Sequence, residues 1–273
     1  MKTRIISGAI GVVLCILIFI FGEMFPWIYA VALAIVNTVM CAEYLTAKKL
    51  QKQLPILILT FLFSVSMPLA ACTSLWYLPI FIYSFLMFTL LVFIRGKVSV
   101  GDITFAYSGT MLITLSMSCF TFMVCKSGGW HAFYAALGLV GSWCADTCAY
   151  FTGRFLGKHK LSPVISPKKT VEGAIGGGLG AVAGCMLAGL IFQFIVYRNM
   201  HVNYLALLCI GVFCAFVSVC GDLVFSAIKR ECSIKDYGSI MPGHGGLLDR
   251  FDSVLFCVPF VFMLSQTWGL LGV

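Results

Sequence analysis

Charge is scarce in this chain: 10% of its 273 residues are charged, and only ten of those are acidic. The longest polar stretches run to about 20 residues, which leaves no room for a separate soluble module and implies a single domain over 1–273. Thirteen cysteines are present but no C-x-x-C pair. Cys144 and Cys148 sit four apart, yet no histidine or further cysteine completes a metal set near them. A structural zinc site is therefore excluded, and the cysteines read as small apolar packing residues in a reducing or buried setting. No small-x-small cleavage site follows the first apolar run, and its core is too long for the h-region of a signal peptide, so the run is expected to stay as a span. A transporter-like internal repeat is also lacking.

What is abundant is hydrocarbon. The chain is 61% hydrophobic with 24 phenylalanines and 12 methionines, and its mean hydropathy is +1.03. Apolar runs long enough for a roughly 30 Å hydrocarbon core recur along it. About nine are read, at 5–22, 26–46, 54–72, 75–94, 105–125, 130–153, 171–197, 203–228 and 248–271. The fold class expected is all-α, a polytopic integral membrane protein with about nine transmembrane helices and a cytoplasmic N-terminus. With that orientation sixteen of the eighteen cations fall inside, and only Lys126 and Arg198 fall outside. Such a split is the positive-inside asymmetry. The formal charge of +8 thus reports topology and an anionic ligand, with no case for nucleic acid.

The two halves differ in kind. Residues 1–128 read mainly as scaffold helices, with Glu43 the one unusual acid, read as an interfacial carboxylate or a partner of Lys48 in preference to a role in the site. Residues 129–273 read as the catalytic half, since seven of the ten acids lie between 146 and 252. Glycines between 173 and 184 fall inside an apolar span and read as helix packing. On span 6, Trp143, Asp146, Tyr150 and Gly153 share one helical face. Asp146 is an intramembrane carboxylate that needs a partner, a metal or a water-filled cavity. Ser166-Pro167, followed by Thr170 and Glu172, suggests a capped helix start, whose exposed N–H groups with Lys168 and Lys169 form an anion site. Arg154, Lys158 and Lys160 read as positive-inside anchors. On span 8, Asp222, Ser226, Lys229 and Arg230 form one stripe running to the cytoplasmic surface. Span 9 opens with Asp249 and Asp252 at i and i+3, where acids also complement a helix dipole.

Residues 226–252 concentrate this chemistry. They hold four cations (Lys229, Arg230, Lys235, Arg250), four acids (Glu231, Asp236, Asp249, Asp252) and His244. Carboxylates beside Lys and Arg, separated by glycines, are what a Mg²⁺–phosphate site requires. The spacing Ser226-x2-Lys229-Arg230-x4-Lys235-Asp236-x-Gly238-x3-Pro242-x-His244-Gly245-Gly246-x2-Asp249-Arg250-x-Asp252 resembles the signature of the phosphatidate cytidylyltransferases, the CDP-diacylglycerol synthases. Met241 is the one small departure, an apolar swap. Trp143-x2-Asp146-x2-Ala149-Tyr150-x2-Gly153-Arg154-x2-Gly157 and Ser166-Pro167-x-Lys169-Thr170-x-Glu172-Gly173 are similar to two further elements of that family, whereas residues 1–130 match it only in pattern.

The resemblance implies that CTP and phosphatidic acid give CDP-diacylglycerol and pyrophosphate, in phospholipid biosynthesis. The cofactor implied is Mg²⁺, with a second metal ion left open. Asp222 and Asp249 are the expected metal ligands, supported by Asp146. Lys229, Arg230, Lys235, Arg250 and Lys169 would hold phosphates, with Ser226 and His244 orienting them and Ser166 and Asp252 at the substrates. His244 suits phosphate better than a hard cation, which prefers oxygen. The partners expected are CTP, phosphatidic acid and membrane lipids, with a homodimer left open. The location expected is the bacterial cytoplasmic membrane, with the active site on the cytoplasmic face. Two rival readings are a CTP-dependent kinase of a lipid alcohol and a cation-coupled transporter.

Overall fold

The computed structural model describes residues 2–94, 98–198, 201–243, 245–268 and 270. Arg95, Lys97 and His244 lie outside these described residues. Helices α1 (Lys2–Met24), α2 (Trp27–Ala47), α3 (Leu54–Ala70), α4 (Leu78–Phe93) and α5 (Val100–Cys125) build the N-terminal half. Helices α6 (His131–Leu156), α7 (Val171–Ile191), α8 (Tyr204–Glu231), α9 (Leu248–Phe251) and α10 (Val254–Thr267) follow, and a π-helical turn, Phe192–Val196, extends α7.

Among the described residues each expected apolar run is largely helical, but five segments combine the length and composition to cross a membrane. They are Ser7–Met24, Trp27–Ala47, Val100–Cys125, Val171–Val196 and Tyr204–Glu231. Helices α3, α4 and α10 are apolar but have 17, 16 and 14 residues, which at about 1.5 Å per residue falls short of a roughly 30 Å core. Helix α6 is long, yet it carries Ser142, Asp146, Thr147 and Arg154 and does not join the apolar five. Many large apolar side chains face outward, among them Leu14, Phe85, Leu179 and Phe216, the surface an integral membrane protein presents to lipid.

Several boundaries move for local reasons. Helix α5 starts five residues earlier than the apolar run because Ser99 and Asp102 form a capping box, each side chain accepting from the other's backbone N–H. The helix expected to begin at Ser166-Pro167 does not: Ser166–Thr170 is strand β2, antiparallel to β1 (Lys160–Ser162). Proline has no N–H to lose on such an edge. The cap is Thr170, whose hydroxyl accepts from Gly173 N at 3.1 Å. Span 9 is broken between α9 and α10, so Asp249 and Asp252 do not open one continuous helix. Asp252 falls in the break and accepts Ser253 N at 2.8 Å, the local competition that carboxylates offer to helical backbone.

The chain divides into two units, 1–129 with 232–251, and 130–231 with 252–273. The first packs Leu45, Ile56, Phe63, Met67, Tyr83, Met87 and Ile103 into one core, with Phe63 and Tyr83 stacked at 4.4 Å. Within it Cys72 and Cys125 form a disulfide with Cα atoms 5.7 Å apart. This corrects the reading of all thirteen cysteines as packing residues, because the ends of α3 and α5 meet there. The other eleven are free.

The second unit is held by close approach of α6 and α7. Gly173, Gly177, Gly180 and Gly184 line one face of α7 and are the points at which it meets α6. A Cβ at Gly177 would lie 2.8 Å from the Ala145 carbonyl oxygen, and one at Gly180 would lie 2.9 Å from that of Cys144. The expected packing role of these glycines is what the structure shows.

Two outcomes follow. Gly177→Val should cost about 1–3 kcal/mol by overpacking, measured as a lower unfolding midpoint of the detergent-solubilised protein, whereas Gly101→Ala, with no atom nearer than 3.7 Å, should be neutral. Alkylation under denaturing, non-reducing conditions followed by peptide mass spectrometry should recover Cys72 and Cys125 as one cross-linked pair, and finding both alkylated would contradict the bridge.

Candidate active site

Three acids of the second unit lie within electrostatic reach of one another. Asp222 stands on α8, half-exposed, and its two oxygens have different partners. Oδ2 forms an ion pair with Lys169 Nζ at 2.7 Å, and Oδ1 accepts the Ser226 hydroxyl at 3.1 Å. Lys169 comes from β2, placed there by the hairpin that precedes α7, and also donates to the Val219 carbonyl at 3.5 Å. One helical turn above Asp222, Ser218 donates to Asp146 Oδ1 at 3.0 Å. Ser253 donates to Asp146 Oδ2 at 2.6 Å and lies 2.9 Å from the Ser142 hydroxyl. Asp146 is thus held between two hydroxyls while keeping an exposed surface.

Asp252, buried in the α9–α10 break, feels the charges of Asp222, Asp146 and Lys229. Gly221 makes this possible, since its bare Cα sits against the Asp252 carbonyl and the Phe256 ring. Lys229 and the exposed Arg230 continue the α8 stripe in the last turn of the helix. The hairpin is locked to α7 by Glu172, which accepts Lys158 N at 3.0 Å and pairs with His159 Nδ1 at 2.6 Å. Arg154 donates to the Tyr150 hydroxyl on its own helix at 2.9 Å. Ser166 opens β2 opposite Ser162.

The first unit carries the glycine-rich loop. Asp249, in α9, draws two distant turns of it together, its Oδ2 accepting Tyr237 N at 2.8 Å and Gly246 N at 3.1 Å. Gly243 and Gly245 have φ of 79° and 89°, a region where a side chain would be strained, and Met241 N donates to Gly245 O at 3.1 Å. Lys235, Asp236 and Arg250 are exposed. Glu43 on α2 accepts Leu247 N at 3.0 Å and Leu248 N at 2.8 Å. This corrects its reading as a partner of Lys48, which instead pairs with Asp102 at 3.0 Å.

The sequence-derived residues therefore sort by unit. Asp146, Lys169, Asp222, Ser226, Lys229 and Asp252 cluster in one, and Asp249 with the glycine loop stands in the other. Ser218, Ser253 and Ser142 were missed. Ser218 was legible as the next turn of the Asp222–Ser226 stripe, whereas Ser253 left only its place beside Asp252. Glu43 stands out as an acid of the apolar half, but spacing does not reveal its partners, which lie 204 and 205 residues away.

The oxygens around Asp222 are carboxylate and hydroxyl, which suit a hard divalent cation once the Lys169 ammonium leaves Oδ2. Among the described residues no three acidic, histidine or cysteine side chains converge as a ready-made metal cage. That is compatible with Mg²⁺, which is usually held by one or two carboxylates together with substrate phosphates and water.

Comparison with known proteins gives this chemistry a setting. The cytidylyltransferase family model matches residues 2–268. The phosphatidate cytidylyltransferase of Bacillus subtilis (strain 168) is 34% identical over 286 residues, covering 97% of each chain. Those of Staphylococcus epidermidis (strain ATCC 12228 / FDA PCI 1200) and Staphylococcus aureus (strain COL) are 38% and 37% identical, over 67% and 66% of each chain. The chain belongs to the cytidylyltransferase family, alongside the phosphatidate cytidylyltransferases.

Proposed function

We propose that this protein joins CTP to phosphatidic acid, forming CDP-diacylglycerol and releasing pyrophosphate. The match along nearly the whole chain to the Bacillus subtilis enzyme is the observation that carries the reading. A phosphate oxygen of the lipid forms a bond to the α-phosphorus of CTP, and the bond from that phosphorus to the β-phosphate bridging oxygen breaks. The electron pair leaves with pyrophosphate. A phosphate monoester is already ionised, so no strong general base is needed. Positioning and charge neutralisation carry most of such a reaction.

In this reading Lys229, Arg230, Lys235 and Arg250 neutralise phosphate oxygens, and Ser226 and His244 orient them. Lys169, released from Asp222, is close enough to the same acids to take a phosphate oxygen in turn. Ser166 and Asp252 complete the substrate contacts. Asp222 and Asp249 are the proposed Mg²⁺ ligands, with Asp146 supporting Asp222 through the Ser218 turn of α8. A bound divalent cation would supply Lewis-acid neutralisation of the phosphoryl oxygens. The proposed setting is the bacterial cytoplasmic membrane with the site at its inner face, a reading supported by the sixteen of eighteen cations that the expected nine-span topology puts inside. CTP is then supplied from the cytoplasm while the acyl chains remain in lipid.

The purified protein with labelled CTP, phosphatidic acid and Mg²⁺ should release pyrophosphate; release of CDP would instead indicate a lipid kinase. Asp222→Asn and Asp249→Asn keep size but remove charge, and each should lower turnover by about a hundredfold or more while the protein stays folded. Glu231→Gln, on an exposed side chain, should be milder. If both Asn variants kept near-normal pyrophosphate release, the ligand assignment would be wrong and Asp146 with Asp252 would take its place.

A further inference from the structure

Glu43 is buried on α2, 5% exposed, and far in sequence from every residue with which it interacts in the glycine-rich loop. Both of its oxygens are turned to backbone donors, Oε1 to Leu247 N and Oε2 to Leu248 N. Asp249 takes the neighbouring donor, Gly246 N, and with it Tyr237 N. Two carboxylates thus grip three successive amides, 246 to 248, at the point where the loop enters α9.

The loop is shaped to admit this carboxylate. A Cβ at Gly246 would lie 2.7 Å from Glu43 Oε2, and one at Gly238 would overlap Oε1. Glycine at both positions lets backbone close around the side chain from two directions. Tyr44, the next residue of α2, stacks on Phe105 at 4.5 Å and lies 6.3 Å from the Tyr237 ring, so α2 is itself fixed by α5. Glu43 also lies within Coulombic range of Asp249, and both negative groups are bonded to the same stretch of loop backbone.

We propose that Glu43 is a positioning residue for catalysis, fixing the glycine-rich loop and, through it, the carboxylate of Asp249. The inference rests on the proposed function, in which Asp249 is a metal ligand. The role assigned to Glu43 is exerted through Leu247 N and Leu248 N, to which both of its oxygens are bonded. Its charge matches two N–H donors, and an amide in its place sets its own NH₂ against one of them.

The test is kinetic. Glu43→Gln, in the full-length purified protein, should lower kcat by about a hundredfold, the scale expected of a misplacement of about 1 Å. It should also raise the Mg²⁺ concentration needed for half-maximal rate, with KM for phosphatidic acid unchanged. A merely structural role would lower the amount of folded protein and its unfolding temperature, with turnover per folded molecule and Mg²⁺ dependence as in the wild type. That result, or activity within twofold of wild type, overturns the proposal. Should Glu43→Gln not accumulate folded, Glu43→Asp keeps the charge but withdraws the oxygens by one methylene, and the same two outcomes decide. A wild-type protein that releases no pyrophosphate would instead refute the proposed function.

Discussion

A carboxylate placed within an apolar helix costs about 2.5–3.5 kcal/mol at the bilayer centre on insertion scales, and more if left without partners. Both units of this protein are organised around meeting that cost. Asp146 is held by two serine hydroxyls, Asp222 by an ammonium and a hydroxyl, and Glu43 by two backbone amides. Each solution recruits a different part of the chain: the α8 stripe, the β1–β2 hairpin, the α9–α10 break, the glycine-rich loop. Removing the acids would leave an apolar bundle with no reason for those irregular segments.

Small residues make the arrangement feasible. The glycine face of α7 allows α6, which carries Asp146, to approach closely, and Gly221 admits the Asp252 backbone against α8. Gly238 and Gly246 do the same for Glu43. Glycine here serves polar groups at one remove, by letting backbone come near enough to be a partner. The hairpin shows the complementary device: Thr170 caps α7 and Glu172 ties the turn at Lys158 and His159, so Lys169 is delivered to Asp222 from a fixed strand.

Much of this was legible in the sequence, because periodicity and cost are local. The stripe Asp222, Ser226, Lys229 is a helical repeat, and Asp146 stands out as an acid inside an apolar run. Two kinds of feature were not legible. Helix ends depend on side-chain competition with backbone, as at Ser99–Asp102, at β2 and at Asp252, which apolar runs do not register. Long-range pairing leaves no trace in spacing, so the sequence offers Glu43 only the interface or nearby Lys48 as a setting, and Cys72 and Cys125 only packing.

On the proposed function, the acids around Asp222 serve divalent-cation and phosphate chemistry rather than packing. The most direct measurement is electron paramagnetic resonance of Mn²⁺ titrated into the purified protein with CTP, for the wild type and Asp222→Asn. The wild type should bind Mn²⁺ with ³¹P coupling from the nucleotide, and the folded Asn variant should lose that bound signal. An identical bound signal in both would contradict it.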